Sequence, residues 1–301
     1  ADDTAPPAAA VGRREVVKGL DGMSRAADPG NDPFSTGHCA AAVMAAAFFC
    51  REQRIGGDAQ RDILSLVEAR LLTAPVFTPR PAAAADPGLV DGLVRDLDAG
   101  IDTLRRSGHN IIFAVVSLKA LREVPEAATP DRVKGLRATV QSFGARRPAG
   151  AARPPRDGFV DLGDEPAFIR FVFEEYLKAL DLYRNGRGHH GFAGHLLTVG
   201  HALVELGRMG HPETARKGVE AYWQFVQQAR DGADLGGRRV PDPAPPPPAP
   251  LAPEYWRGRG QQRTGTIVSS HLIKYPYSFY ALIKDLRDDA LKQRALDSLP
   301  S

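Results

Sequence analysis

The sequence contains few cysteines, and this scarcity excludes one large class of protein. Only Cys39 and Cys50 occur among 301 residues, so the chain lacks the disulfide framework that holds many small secreted domains together. Both fall on one predicted helix, where eleven positions at ~1.5 Å rise separate them by ~16 Å. The Cα atoms of a disulfide lie only ~4.4–6.8 Å apart. We therefore expect two buried free thiols that pack as small apolar residues.

Long apolar runs and concentrated charge are also missing. The longest apolar run, from Cys39 to Cys50, has twelve residues, whereas a helix that crosses a hydrocarbon core needs ~17–25. The sequence therefore predicts no membrane span. The 39 Lys and Arg residues and the 36 Asp and Glu residues leave a net charge of +3 that is spread along the whole chain. This balance does not indicate a nucleic acid partner.

Several familiar catalytic signatures are absent from the sequence. It has no Walker loop, no Cys-x-x-Cys pair, no EF-hand loop and no His-Glu-x-x-His motif. A G-x-G-x-x-G string does occur at 186–191, but a predicted helix precedes it where a dinucleotide fold requires a strand. We therefore predict no nucleotide cofactor. A small molecule and a glycan both stay open as the substrate class.

The start of the chain and its composition indicate where the protein works and how it is organised. Ala1-Asp2-Asp3, followed by Pro- and Ala-rich sequence, is typical of what remains after a leader is cut, so we predict an exported protein, periplasmic or secreted. With 43% apolar residues the chain is long enough to bury a sizeable core. We expect an N-terminal extension over 1–35 and a single helical domain over 36–301, with a proline-rich excursion at 240–253.

Hydrophobic periodicity predicts an all-α fold. Apolar residues recur at three- and four-residue spacing in one group of segments, which therefore have one wet face: 58–72, 88–106, 130–143, 166–184, 212–229 and 287–298. A second group is apolar nearly all round and must be interior: 38–50, 110–121, 192–206 and 271–283. No stretch alternates with period two, so no sheet is predicted.

One local pattern recurs four times: a turn of small residues, a histidine, an interior helix, a connection and a one-faced helix. The starts are Thr36-Gly37-His38, Ser107-Gly108-His109, Gly188-His189-His190-Gly191 and Ser269-Ser270-His271. His195 is an alternative to His190, because Ala193-Gly194 precedes it in the same way. The repeat predicts that interior helices line a ring and that one-faced helices cover it.

Such a ring resembles the α/α toroids, a fold shared by many glycosidases, polysaccharide lyases and terpenoid cyclases. The resemblance implies an irregular toroid-like ring of inner and outer helix pairs, and a compact irregular bundle is the alternative. If the interior helices run parallel, His38, His109, His190 and His271 meet at one mouth. Three or four neutral imidazoles around one point suit zinc, copper or ferrous iron. The sequence therefore predicts a metal-dependent enzyme of unknown substrate.

Two other functions stay open. A metal-free lyase or hydrolase that acts on a glycan could use Tyr275 or Tyr277 as proton donor and acceptor, with Asn110 and an arginine such as Arg187 or Arg257 neutralising a carboxylate. A non-catalytic helical-repeat scaffold would use its histidines only to cap helices. The pair His201 and Glu205 is best explained as an ordinary contact within one helix.

Overall fold

The computed structural model describes residues 11–73, 75–144, 156–188, 190–231 and 248–299. These residues form twelve α-helices and no strand, which confirms the all-α prediction. The helices are α1 (Arg13–Arg25), α2 (Pro33–Glu52), α3 (Gly57–Leu66), α4 (Val90–Asp98), α5 (His109–Glu123), α6 (Pro130–Ser142), α7 (Glu165–Arg184), α8 (His190–Arg208), α9 (Pro212–Asp231), α10 (Pro253–Trp256), α11 (Thr266–Ile283) and α12 (Asp289–Ser298). Most of the proline-rich stretch predicted at 240–253 lies outside the described residues.

Proline in the first turn marks several helix starts, as the sequence indicates. Helices α6, α7 and α9 all carry proline at one of their first two positions, where its missing N–H costs nothing. Pro33 opens α2 in the same way. The Asp32 carboxylate caps this helix by accepting hydrogen bonds from the backbone N–H groups of Phe34 and Ser35. Helix α2 therefore begins five residues before His38. The predicted turn before His38 is wrong, and so is the one before His271, which also lies inside its helix.

Four helices that are buried on nearly all sides form the centre of the molecule. Helix α2 packs against α5 and α11, and α8 packs against the same two helices from the other side. Cys39 and Cys50 are free and buried on α2, as expected. We call α2, α5, α8 and α11 the inner helices.

The inner helices run in the same direction. Near their N-terminal ends, His38, His109, His195 and His271 lie in ring contact with one another. Further along the same helices, a second set of side chains meets at the opposite end of the group, which we call the far end. Because one set comes early and the other late on every inner helix, the four helices must be parallel.

The far end is closed by a half-buried polar network around Lys119. Its Nζ lies 2.8 Å from a carboxylate oxygen of Glu52 and 2.6 Å from one of Glu205. The same ammonium donates a hydrogen bond of 2.8 Å to the Tyr277 hydroxyl. Between this network and the histidines lies a cavity of about 40 Å³, which also touches His201. That volume holds no more than a few water molecules.

Small residues beside the histidines let the inner helices approach closely. A Cβ atom at Gly37 would lie 2.2 Å from the Phe113 ring of α5, and one at Gly194 would lie 2.2 Å from the Tyr275 ring of α11. Gly108 has a φ of +83° and sits against Val199 of α8. In each case the glycine that precedes one histidine contacts a side chain of the next inner helix. That side chain lies four positions after the histidine of its own helix. The sequence repeat therefore reflects the way in which neighbouring inner helices pack against each other.

Outer helices cover this centre. Helix α1 packs on α2 and α6, α6 packs on α4, and α7 packs on α8, α9 and α12. The sequence analysis did not predict α1, which lies inside the proposed extension over 1–35. Val16, Leu20 and Met23 bury its apolar face, and the Asp21 carboxylate accepts a 2.8 Å hydrogen bond from the guanidinium of Arg132 on α6. The predicted helix over 88–106 is shorter in the structure, since α4 ends at Asp98.

Helix α2 has the length and composition of a membrane span. An 18-residue stretch of it has a mean hydropathy of 1.3, and it is the single helix of this kind among the described residues. However, 78% of that stretch is buried inside the protein, where it contacts α1, α5 and α11. A buried core helix has the same composition as a span, so this finding is weak evidence for a membrane.

Replacing Gly135 tests the contact between α6 and α1. A Cβ atom at this position would lie 2.0 Å from the backbone carbonyl oxygen of Ser24, which cannot turn aside as a side chain can. We expect Gly135→Ala to lower the free energy of unfolding by at least ~1–3 kcal/mol. Urea unfolding followed by circular dichroism measures the change.

The matched control is Gly57→Ala at the first position of α3. The nearest atom to a Cβ there is in the Arg61 side chain, at 3.9 Å. Because alanine favours helix more than glycine does, this variant should be as stable as the parent or slightly more stable. Equal stability of the two variants would contradict the proposed close contact.

The buried His201 should make stability depend on pH. Burial lowers its pKa from 6.5 to about 3, so it is neutral in the folded protein at pH 7. In the unfolded chain it binds a proton near pH 6.5. Its contribution to stability is therefore complete above pH 6.5 and falls by ~1.4 kcal/mol per pH unit below that, down to the folded pKa.

The variant His201→Gln isolates this effect. Glutamine can still bond to the Ser278 hydroxyl, which lies 3.1 Å from His201 Nδ1, but it does not titrate. Between pH 6.5 and pH 5.0 the parent should lose ~1–2 kcal/mol more unfolding free energy than the variant. Glu205 faces the same imidazole, and its pKa is lowered, so it titrates below this range. Parallel pH curves for the two proteins would show that His201 is not neutral in the fold.

Candidate metal centre

Three of the inner helices present a histidine at the same position. His38, His195 and His271 are each the sixth residue of their helices, which begin at Pro33, His190 and Thr266. His109 instead opens α5, directly after a short 3-10 turn over Arg106–Gly108. Because the helices are parallel and adjacent, these positions bring the imidazoles to one end of the group.

His38, His109 and His195 form a compact trio. One ring nitrogen from each lies within 4.8 Å of the other two. The ring centroids of His38 and His109 are 4.3 Å apart, and those of His109 and His195 are 4.7 Å apart. All three residues are buried, with 8% exposure or less. Three buried histidines in this arrangement could hold a metal ion.

Hydrogen bonds to the backbone decide which nitrogens of the trio carry protons. Nδ1 of His195 lies 2.5 Å from the carbonyl oxygen of Gly191, and Nδ1 of His109 bonds the carbonyl of Arg106. A carbonyl oxygen only accepts, so both Nδ1 atoms are donors. In the neutral rings the Nε2 atoms are then both unprotonated.

Those two Nε2 atoms face each other at 3.2 Å. Two lone pairs at this distance repel each other unless a cation, either a proton or a metal ion, lies between or beside them. Ligands of a tetrahedral ion with ~2.0–2.1 Å bonds are ~3.3–3.4 Å apart. The separation of the two nitrogens is therefore close to that of two ligands on one ion.

His38 completes the trio and has an unusual neighbour. The Lys274 Nζ lies 2.5 Å from its Nδ1, while its buried Nε2 has no hydrogen-bond partner among the described residues. Burial lowers the pKa of Lys274 to about 7. In its amine form Lys274 accepts the Nδ1 proton of His38 and leaves Nε2 as a donor atom for an ion.

Burial also keeps two imidazoles of the trio, those of His38 and His109, neutral. Desolvation is the main cause that lowers the pKa of His38 and His109 far below the usual 6.5, and the neighbouring cations add to it. Only neutral imidazole binds a metal. The protonation state of these two residues therefore fits a metal centre.

His271 and Tyr275 lie beside the trio. The ring of His271 is 5.0 Å from that of His38 and 5.1 Å from that of His195, and it stacks on Tyr275 at 4.5 Å. The Tyr275 hydroxyl lies 3.2 Å from Nδ1 of His195. Burial raises the pKa of Tyr275, so the phenol keeps its proton at neutral pH.

The structure does not bring every predicted site residue to this centre. His190 begins α8 and its side chain is outside the described part of the protein, so His195, the stated alternative, occupies the place in the trio. Tyr277 lies at the far end beside Lys119. Asn110 is buried next to His109, and its Oδ1 has no hydrogen-bond partner among the described residues.

Two neighbours of the trio were missed in the sequence. Lys274 carries a detectable signal, because it is the one charged residue in the apolar segment 271–283. Phe34 gives no such signal, and its ring lies 4.6 Å from His38 and 4.7 Å from His109. It lies in the first turn of α2, which sequence reasoning placed before the helix.

A cavity of about 560 Å³ adjoins the centre. His38, His195, His271 and Tyr275 contribute to its lining. Its size is in the range of pockets that bind small molecules. A molecule in this cavity would therefore lie next to the side of the protein that carries the imidazoles.

No protein family, curated protein or solved structure matches this chain. The functional proposal therefore rests on the fold and the histidine trio.

Proposed function

We propose that His38, His109 and His195 bind one transition-metal ion and that the protein is a metal-dependent enzyme for a small molecule. The observation that carries this proposal is the pair of unprotonated Nε2 atoms of His109 and His195, which face each other at 3.2 Å. A metal ion bound by both nitrogens would turn this repulsion into coordination. Imidazole donors suit zinc, copper and iron, and measurement must identify the metal.

The number of ligands supports a catalytic ion. Structural zinc sites use four protein ligands, whereas catalytic sites use three and leave one position for water or substrate. His38 and His195 belong both to the trio and to the lining of the cavity. The free position of an ion in the trio can therefore reach a molecule in the cavity. His271 and Tyr275 stand beside that position, and the phenol can donate a proton to a bound molecule.

The ring architecture belongs to the same proposal. We place α2, α5, α8 and α11 as the inner wall of an irregular α/α toroid-like ring, with the outer helices around it. The cycle of contacts among the inner helices and their common direction support this arrangement. Extra outer helices such as α4 and α7 make it irregular.

A second candidate function is acid–base catalysis without a metal. The Tyr275 hydroxyl, 3.2 Å from His195 Nδ1, favours it, since a phenol and an imidazole can exchange a proton with a substrate. This version predicts activity that survives chelators, whereas the metal-dependent version does not. The scaffold alternative has no comparable observation in its favour, because its histidines would cap helices and three of them lie inside theirs.

Metal content tests the main proposal. The chain is purified without chelators and analysed by mass spectrometry, then stripped and titrated with Zn²⁺ and Co²⁺. We expect about one ion per chain and a Co²⁺ visible spectrum typical of a four-coordinate site. His109→Gln and His195→Gln should each weaken binding at least ~10–100-fold, since each removes a ligand.

His211→Gln is the matched control, because His211 lies directly before α9, outside the trio. It should bind as the parent does. His271→Gln should also keep one equivalent, since His271 lies outside the trio. Less than a tenth of an equivalent after reconstitution, or equal binding by all four variants, would exclude the proposed centre.

A further inference from the structure

The cavity beside the trio contains no charged side chain among its described lining residues. Those residues are Phe34, His38, Ser107, Tyr176, Leu180, Gly191, Phe192, Ala193, Gly194, His195, Leu197, Pro250, Tyr255, Ile267, Val268, His271, Leu272, Tyr275, Pro276 and Leu299. In the whole chain 25% of residues are charged. The exclusion of Asp, Glu, Lys and Arg from this surface is therefore selective.

Polar atoms in the cavity wall are few, and internal contacts already engage two of its hydroxyls. The Tyr176 hydroxyl lies 3.1 Å from Oγ of Ser298. The Tyr275 hydroxyl lies 3.2 Å from Nδ1 of His195. The rings of these tyrosines, together with Phe34 and Phe192, thus present mainly carbon to the cavity. Polar character is concentrated on one side, where the imidazoles lie.

The edge of the cavity is apolar as well. Val268, which lines it, is 53% exposed, and Leu251, next to the lining residue Pro250, is 42% exposed. These two are the exposed large hydrophobic residues of the described chain. An exposed apolar side chain such as Val268 in the cavity lining favours an apolar ligand.

We infer that this cavity binds an uncharged molecule with a mainly aromatic or aliphatic body and one hydroxyl or carbonyl group directed at the histidines. In the metal-free protein an ionised ligand would leave water without gaining an opposite charge from a lining side chain, and that loss weakens its binding. A neutral hydroxyl or carbonyl exchanges water for an imidazole or for a metal position.

This inference rests on the proposed function for the role of the histidines in the reaction. The binding of the apolar body does not depend on a metal. Failure of the two ideas can therefore be told apart, because ligand binding is measured on metal-free protein and metal binding is measured without ligand.

The test compares two probes of the same shape. Metal-free full-length protein is titrated in a calorimeter at pH 7 with 4-phenylphenol and with biphenyl-4-carboxylate. We expect the neutral phenol to bind at least tenfold more tightly than the carboxylate. Equal affinities, a preference for the carboxylate, or no binding of the phenol would overturn the inference.

A variant pair at the cavity edge gives a second measurement. Val268→Lys adds a cation at an exposed position where folding is not at risk, and Val268→Asn is the uncharged control. The lysine variant should reduce the preference for the phenol at least threefold, because it offers the carboxylate a partner. The asparagine variant should keep the parent's preference. The same preference in both variants would show that the probes bind elsewhere.

Discussion

The close approach of the four inner helices is the constraint on which the histidine centre depends. Imidazoles reach one another only because the residue before each of His38, His109 and His195 has no side chain to keep the neighbouring helix away. At Gly37 and Gly194 an aromatic ring of the next inner helix fills the space where a Cβ would be. The glycines that allow the close packing therefore directly precede the histidines of the trio. This explains why small residues and histidines recur together along the chain.

Periodicity in the sequence was sufficient to predict the class of the fold and most of its helices. Segments 110–121, 192–206 and 166–184 lie within or closely match α5, α8 and α7. The predicted helix boundaries were wrong where a local sequence signal was misread. The small residues before His38 and His271 looked like turns, although they lie in helices because a neighbouring helix packs on them. Helix α1 was missed because two glycines, Gly19 and Gly22, interrupt a short apolar face.

The candidate site was predictable in its chemistry and less so in its membership. The repeated histidines indicated that imidazoles would gather, provided that the helices were parallel. Which histidine of α8 joins them depends on the helix start, since a shift of five residues exchanges His190 for His195. Lys274 and Phe34 approach the trio through tertiary packing, and no spacing along the chain reports such contacts. The apolar cavity likewise combines residues from distant segments.

Polar groups of the inner helices lie at two ends of the group. One end holds neutral imidazoles, and the other holds ion pairs. At the trio, burial disfavours positive charge on the rings of His38 and His109, so each of these imidazoles keeps a free lone pair. At the far end, Lys119 forms ion pairs with both Glu52 and Glu205 and donates a hydrogen bond to Tyr277. That network joins all four inner helices in their C-terminal halves. In the proposed enzyme, a substrate and its product would both use the cavity beside the trio, because the space toward the far end holds no more than a few water molecules.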